Sequence, residues 1–513
     1  MITRDGNSIS LWQDSVETYQ PGNEVNLSTL YDVVIAGGGI TGITTALLLQ
    51  KAGMNCLVLE AHNLCYGTTG GTTAHINTLI DVPFSTIEKK FSKEHAKLVA
   101  NSLKEAVNEI QENIKKYKID CEFKTATATL FAQDDKQKDE LEKISKATAE
   151  AGIKNKFIDK ISIPIPFIKA MEVSGQAKFN PVHYVYRLAE QFEKAGGTIL
   201  QQCRVLNADE NENVSIETAK GKYTARYLVY ATHIPPGVNL LHFRCVPYRS
   251  YAMAVTLKDN SYPGDLVYDM YDPYHYYRSQ DMEGKKYLIA GGYDHKTAHE
   301  DNQEYCFLKL ESHIRKYFDV DEVVYKWSSQ YYESPDGLPY IGQLPGHDKI
   351  FVATGYGGNG MPYSHVAALS LKRTICREEN PYQELYDPNR LKLVAGFSNF
   401  VSHNADVVKQ FASKFFSGED LKELAELATN EGKIVKYKDE KLAIYKDEHG
   451  VVHGLSPICT HLGCEVKWNN AERSWDCPCH GARYSYTGTV INGPTTKNLT
   501  KMNIRELVIK EEE

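Results

Sequence analysis

The sequence predicts an α/β part of Rossmann type that runs into a strand-rich region, followed by a small all-β domain. Three observations predict it. A glycine-rich turn near residue 37 lies between a strand and a helix. The stretch from Tyr248 to Ala290 is strand-rich and aromatic. After a short-strand pattern that opens at Glu431, two Cys/His loops follow from Cys459.

The first element carries the clearest local logic. Tyr31 to Ala36 is an apolar strand, Gly37-Gly-Gly39-Ile-Thr-Gly42 is the turn, Ile43 to Gly53 reads as a helix, and Asn55 to Glu60 is a second strand. In that frame a Gly-x-Gly-x-x-Gly pattern points to a dinucleotide. Gly37 permits the tight turn, Gly39 lets a pyrophosphate approach backbone N–H groups, and Gly42 lets the helix pack closely. Glu60 is placed to accept from an adenosine ribose, which disfavours a 2′-phosphorylated cofactor. A glycine-rich turn with no ligand is the plainer alternative. Further on, Ile350 to Thr354 leads through Gly355-Tyr-Gly-Gly-Asn-Gly360-Met into an apolar helix from His365 to Ile375, a second glycine-rich helix start aimed at a cofactor.

Near the C-terminal end, Cys459-Thr-His461 is separated by fifteen residues from Cys477-Pro-Cys-His480-Gly. Two thiolates and two imidazoles in paired halves suit a [2Fe-2S] centre with both Cys on one iron and both His on the other. A structural Cys₂His₂ zinc site is the alternative. Zinc fingers usually group the two Cys and the two His separately, whereas here the types alternate in Gly/Pro-rich loops.

Cys459-Thr-His-Leu-Gly-Cys464, Cys477-Pro-Cys-His-Gly481 and Gly493-Pro494 closely resemble the Rieske domain family, over about residues 431–513. The resemblance implies Cys459, His461, Cys477 and His480 as metal ligands. It implies Cys464 and Cys479 as a disulfide holding the two loops together. Members of high potential carry Ser where this chain has Ala482, so loss of that hydroxyl donor should lower the potential here; Tyr484 is retained.

Val34 to Gly42, Ala231-Thr-His233 and Gly355 to Met361 resemble the D-amino-acid-oxidase-like (glycine/sarcosine oxidase-like) FAD-dependent oxidoreductases, over about residues 28–376. The implied fold is an α/β Rossmann-like FAD-binding domain with an antiparallel-sheet substrate domain, joined to a C-terminal all-β Rieske domain. The FAD-binding core would take about residues 28–90, 180–245 and 330–376, and the substrate-side sheet about 246–329. A helical connection would span 377–430 and the Rieske domain 431–513. By matching position, Gly37, Gly39, Gly42 and Glu60 would serve the ADP half, and Val205 the adenine. Gly357, Gly358, Asn359, Gly360 and Met361 would face the flavin. Thr68, Thr69 and Gly70 fall where the family runs beside pyrophosphate and ring; a solvated Gly/Thr loop is the bland reading. Some members attach flavin through a Cys near the position of Asp336. Tyr331-Tyr-Glu-Ser334 offers no thiol, so non-covalent FAD is expected.

Between these motifs, residues 92–118 and 134–151 have helical periodicity, Ser162–Phe167 is irregular, and helices are expected over 405–416 and 420–428. Lys433–Lys436, Lys441–Tyr445 and Val451–His453 read as short strands. His295 and Lys296 are the candidates for proton handling and carboxylate binding, against a plain hydrogen-bonded loop after a strand. Arg249, Tyr251 and Tyr331 are further conceivable substrate contacts. Asp294, His295 and His299 are weighed as a mononuclear iron site; the order of domains argues against it.

The bulk numbers narrow the class. A net charge of -8 gives no case for nucleic acid or an anionic membrane. No run of about 18 apolar residues suggests a span, and residues 1–20 lack a signal-peptide core, so a cytoplasmic location is expected. The eleven Cys form no secreted disulfide framework. The implied function is oxidation of an amine, imino acid or related small substrate. Electrons would pass from FAD through the cluster to an external acceptor. A ferredoxin-fed flavin reductase and a non-catalytic electron-transfer or redox-sensing module are the alternatives.

Overall fold

A computed structural model describes residues 4–390, 404–407, 409–410, 419–420, 427–437 and 440–503. The glycine turn and its flanking strands lie at the centre of an eight-stranded sheet among these residues. Leu30–Ala36 runs parallel to Cys56–Leu59 on one side and to Gly221–Tyr230 on the other. Thr198–Leu200 and Ile350–Thr354 extend the parallel run at either flank. All four residues of Cys56–Leu59 and all five of Ile350–Thr354 are buried, as expected of strands covered on both faces.

A second sheet of nine strands is almost wholly antiparallel, centred on Val246–Leu257, Tyr276–Met282, Lys285–Lys296 and Val320–Glu333. The expected helices form over Lys93–Tyr117 and Asp135–Glu150, each opened by a side-chain cap from Ser92 and Asp134. The late helix starts at Gly360, five residues before the expected His365. Pro362 falls in its first turn, where an N–H would have no acceptor anyway.

Among the described residues the C-terminal domain forms two four-stranded sheets. One contains Gly432–Tyr437, Glu440–Lys446 and Val452–Leu455, close to the expected short strands. The other is an antiparallel meander from Lys467 to Asn492 that carries the second Cys/His loop. The helical connection is met only in part. Gln383–Tyr386 and residues 404–407 and 409–410 are helical. Asp420, expected to start a helix, instead pairs in parallel with Lys436. The remainder of the helices expected over 405–416 and 420–428 lies outside the described residues. No helix among the described residues is long and apolar enough to cross a membrane.

The two parts are joined by buried charge. Arg249 of the antiparallel sheet lies 3.7 Å from Glu472 and 3.8 Å from Asp476, and Arg483 pairs with Asp476 at 3.1 Å. All four side chains are 1% exposed. The N-terminal arm closes the network: Arg483 donates to the Asp5 carbonyl, the Asn7 amide to Glu472, and Arg4 to the Ser328 carbonyl. Sequence reasoning began the fold at residue 28 and gave this arm no role; nothing in its composition marks it. Burial alone would raise the Asp5 and Asp476 pKa values; for Asp476, Arg483 and then Arg249 outweigh it, and for Asp5, Arg4 leads.

Removing one partner of such a network strands a buried charge. Arg483→Ala should cost about 3–5 kcal/mol, seen as earlier exposure of the buried Trp475 in denaturant-dependent fluorescence. Because the Asp5 and Asp476 pKa values are depressed in the fold, their contribution is fully present above the ordinary Asp value of about 4 and is lost as pH falls below it. Acid titration of the same signal should therefore show the parent losing this stability below about pH 4, where Arg483→Ala has less of it to lose and the gap between the two proteins narrows.

Candidate cofactor cleft and metal centre

One deep cleft runs along the ends of the parallel strands, between the two sheets. Gly39 caps the helix Ile40–Lys51 and opens that helix's N-terminus into the cleft. Gly42 does not reach the cleft. A Cβ there would stand 1.9 Å from the Gly37 carbonyl oxygen, so its role is the close packing expected of it. Gly37 has φ +113°, and its own added Cβ would meet the Ala231 carbonyl at 2.4 Å. Glu60 lines the cleft and accepts from the Gly38 and His62 amides at 2.6 and 2.8 Å. Burial raises its pKa against those bonds. Val205 lines the same end at the start of its own strand, Val205–Glu210.

Thr68 and Thr69 also line the cleft, within a single turn Thr68–Gly71. The Thr69 hydroxyl accepts from the Ile40 amide at 3.1 Å, and Thr68 donates to the Gln330 carbonyl at 3.1 Å. Gly70 is not at the cleft. It packs on Gln13, whose amide nitrogen would lie 2.2 Å from an added Cβ. Gly357, Gly358, Asn359, Gly360 and Met361 all line the opposite wall. Asp81 fixes that loop, accepting from the Gly358 amide while its own amide donates to Asn359 Oδ1, both at 2.9 Å. The elongated cleft, two helix N-termini and glycines that forbid side chains fit a dinucleotide. No cysteine is among its lining residues.

His295 and Lys296 are not brought to the cleft. His295 bonds Tyr251 and the Lys296 carbonyl, both at 2.8 Å, and Lys296 pairs with Asp406 at 3.6 Å. The residue that reaches the cleft is Asp294, bonded by Ser250 at 2.6 Å and Tyr331 at 2.8 Å. The strand register shifts between Arg249 and Tyr251, and Tyr293 has φ +60°, so this end of the strand turns at a bulge. Burial raises the Asp294 pKa to about 6. The iron site weighed from Asp294, His295 and His299 does not assemble, since His299 is bonded to Asp406 at 2.8 Å. Of the other conceivable substrate contacts, Tyr331 lines the cleft, whereas Arg249 belongs to the domain junction and Tyr251 to the core behind it.

The Cys/His loops come together as paired halves. The neighbouring Cys459 and Cys477 thiols act on each other, which pulls the Cys459 pKa down to about 7 and pushes that of Cys477 up. The His461 and His480 rings meet edge to face at 5.0 Å. His461 Nδ1 is buried with no hydrogen-bond partner, while its Nε2 bonds the Gly237 carbonyl at 2.9 Å. Cys464 and Cys479 form a disulfide. Their sulfurs lie within 4.8 Å of Cys477 Sγ, but as a disulfide they offer no thiolate. The Tyr484 hydroxyl accepts from the Thr460 amide and lies 3.1 Å from Cys459 Sγ. Two adjacent thiols and an orphaned imidazole nitrogen fit a metal-binding set.

Comparison with known proteins decides the family. The FAD dependent oxidoreductase family matches residues 32–372, and the Rieske [2Fe-2S] domain matches residues 420–503. The chain belongs to the FAD-dependent oxidoreductases. This FAD-dependent oxidoreductase domain is fused to a Rieske domain. A putative Rieske 2Fe-2S iron-sulfur protein, YhfW, of Bacillus subtilis strain 168 is 31% identical over 92% of this chain and 93% of its own length. The gamma-glutamylputrescine oxidoreductase of Escherichia coli K12 is 24% identical over 70% of this chain and 86% of its own. The crystal structure of glycine oxidase from Geobacillus kaustophilus superposes with a TM-score of 0.59 at 17% identity, covering 71% of this chain and 100% of that one.

The FAD-binding domain and the Rieske domain bury separate clusters of side chains. Cys459→Ser or His480→Ala should therefore abolish the iron signal while leaving FAD content near the parent level, measured as iron and flavin per chain in purified protein. Gly42→Ala should do the reverse, losing FAD because its methyl cannot fit against the Gly37 carbonyl.

Proposed function

We propose that this FAD-dependent oxidoreductase oxidises the C–N bond of an amine, imino acid or related small substrate. It then sends the electrons through its Rieske [2Fe-2S] centre to an external acceptor. The single observation that carries this reading is that the Rieske domain forms part of the cleft wall. Ile491, Asn492, Gly493, Thr495 and Thr496 line the same cleft as Gly37, Gly39 and Gly357–Met361.

In this reading Gly37, Gly39, Thr68, Thr69, Glu60 and Val205 hold the ADP half. Gly357 to Met361 hold the ring end, without a covalent link, and Gly42 supports the turn. Cys459, His461, Cys477 and His480 hold the cluster. When bound, FAD supplies two-electron uptake and one-electron release, and the cluster one-electron transfer. The chain's own residues supply the connection. Thr68 donates to the Gln330 carbonyl, and Gln330 Nε2 donates to the Gly481 carbonyl at 2.9 Å. A second route runs from Thr68 to His233 at 3.2 Å, across the His233–Tyr332 ring contact at 4.8 Å, and from the Tyr332 hydroxyl to the His480 carbonyl at 3.2 Å. Bonded and hydrogen-bonded paths carry tunnelling electrons better than gaps do, so these two routes join cleft wall to ligand loop.

The likeness to a gamma-glutamylputrescine oxidoreductase and a glycine oxidase supports nitrogen-bearing substrates, since both molecules carry an amine. A plain oxidase would need no cluster, and YhfW supports the same pairing with a Rieske centre over nearly the whole chain.

Anaerobic addition of a substrate should bleach the flavin absorbance and then produce the EPR signal of a reduced Rieske centre. Bleaching with no cluster signal would refute the route. Gln330→Leu with Tyr332→Phe should slow cluster reduction several-fold in stopped-flow measurements while leaving the bleaching rate unchanged.

A further inference from the structure

Beyond the glycine loops the cleft ends in a chamber with an unusual charge. Two carboxylates line it, Asp81 and Asp294, and neither makes an ion pair among the described residues. Asp81 is held by the Tyr274 hydroxyl at 3.0 Å and the Gly358 amide, and Asp294 by Ser250 and Tyr331. All four of these partners are neutral donors. Each carboxylate is close enough to the other for their charges to raise the Asp294 pKa, in addition to its burial.

A second, independent feature has the same polarity. Asn77, 2% exposed, lines the chamber and gives its amide nitrogen to the Leu79 carbonyl at 2.8 Å and Tyr268 at 2.9 Å. Those bonds leave Asn77 Oδ1 buried with no donor. A buried acceptor of this kind is costly unless something supplies an N–H or O–H. The nearby imidazole of His75 bonds Tyr268 at 2.7 Å, and burial holds its pKa far below neutrality, so it brings no positive charge.

The cations that act on His75 do not enter. Arg278 donates to the Thr73 and Ala74 carbonyls at 2.9 and 2.7 Å, and Lys178 to Ser279 at 2.9 Å; neither lines the cleft. Arg204 does line it, at the Glu60 end, where it bonds His62 at 2.8 Å. The remaining walls are aromatic, with the Tyr274 and Tyr276 rings 5.8 Å apart and Tyr331 beside Asp294. Ring faces attract cations.

We propose that this chamber takes an aliphatic amine with no carboxylate beside its nitrogen, received as an ammonium ion by Asp81, Asp294 and Asn77 Oδ1 between the rings of Tyr274, Tyr276 and Tyr331. An α-amino acid would set its own carboxylate against two others with no arginine or lysine to receive it. Oxidation needs the nitrogen lone pair, and the same carboxylates are the acceptors for the proton that the ammonium gives up. This inference rests on the oxidoreductase reading above and narrows its substrate class.

The test has a binding arm and a turnover arm, both on the FAD-loaded, full-length protein. In calorimetry, tert-butylammonium, which has N–H donors but no C–H beside its nitrogen to oxidise, should bind and acetate should not. Asp294→Asn should weaken tert-butylammonium binding by about tenfold or more, the usual weight of a charge-assisted hydrogen bond. Asp81→Asn is the second variant; because Asp81 also ties Gly358, its FAD content is measured alongside. No binding of tert-butylammonium, acetate binding as tightly, or tert-butylammonium binding unaffected in both variants overturns the proposal. In the turnover arm, butylamine and 1,4-diaminobutane should bleach the flavin at lower concentration than glycine, sarcosine or proline. A preference for the amino acids overturns the proposal but leaves the oxidoreductase reading intact. Bleaching by neither class, with tert-butylammonium still bound, counts against the oxidoreductase reading instead.

Discussion

The arrangement of this molecule depends on a set of charges taken out of water where its two parts meet. Arg249 belongs to the antiparallel sheet, Asp476 and Arg483 to the Rieske meander, and Asp5 to the N-terminal arm. A buried ion pair is weak as a source of net stability, because desolvation offsets most of the attraction. Its effect is directional: a carboxylate at 1% exposure tolerates one alignment with its guanidinium and penalises the others. The charges favour one register of the two parts, and the Gln330–Gly481 and Tyr332–His480 bonds close over the second Cys/His loop.

That register decides which residues of the Cys/His loops face the flavin domain. The two histidines are turned toward the flavin domain. His461 bonds the Gly237 carbonyl, His242 packs edge-on at 4.7 Å from the His461 ring, and Phe243 packs on His480 at 5.7 Å. The Leu240–Phe243 turn that supplies these rings is itself fixed by an Asn239–His242 capping box. A second backbone bond, from the Gly237 amide to the Pro494 carbonyl, ties the same segment to the third loop of the cluster domain. The proposed path from the cleft to the second Cys/His loop thus already lies in contact in this structure.

The parts of the molecule governed by local rules were legible in the sequence. The glycine turn, its βαβ frame and the late glycine loop follow from short-range sterics, and the structure places them together as expected. The Cys464–Cys479 disulfide was implied by the Rieske resemblance and is present. The chamber was not legible, because it is assembled from residues far apart in sequence, such as Asn77, Asp81, Ser250, Asp294 and Tyr331. His295 is the candidate chosen on its unperturbed pKa, yet the bulge at Tyr293 and Ser250 turns its neighbour Asp294 to the cleft instead. The five tyrosines between 268 and 277 were noted as a group. Their sorting depends on strand register: Tyr268, Tyr274 and Tyr276 line the cleft, Tyr271 is exposed, and Tyr277 is buried beside His313.

Charge at two length scales also converges on the chamber. The whole chain carries -8, and residues 431–513 contain twelve basic and twelve acidic groups, so the excess acid lies in the rest of the chain. As composition alone, that excess argues only against nucleic acid and an anionic membrane. Around a cleft whose inner end holds two carboxylates without counter-ions, a field of the same sign raises the local concentration of small cations and speeds their arrival. The long-range field is screened beyond roughly 8–10 Å at ordinary ionic strength, so it can gather ligands but cannot select among them. Selection falls to the buried groups, where desolvated carboxylates, an unpaired amide oxygen and ring faces distinguish an ammonium from a zwitterion.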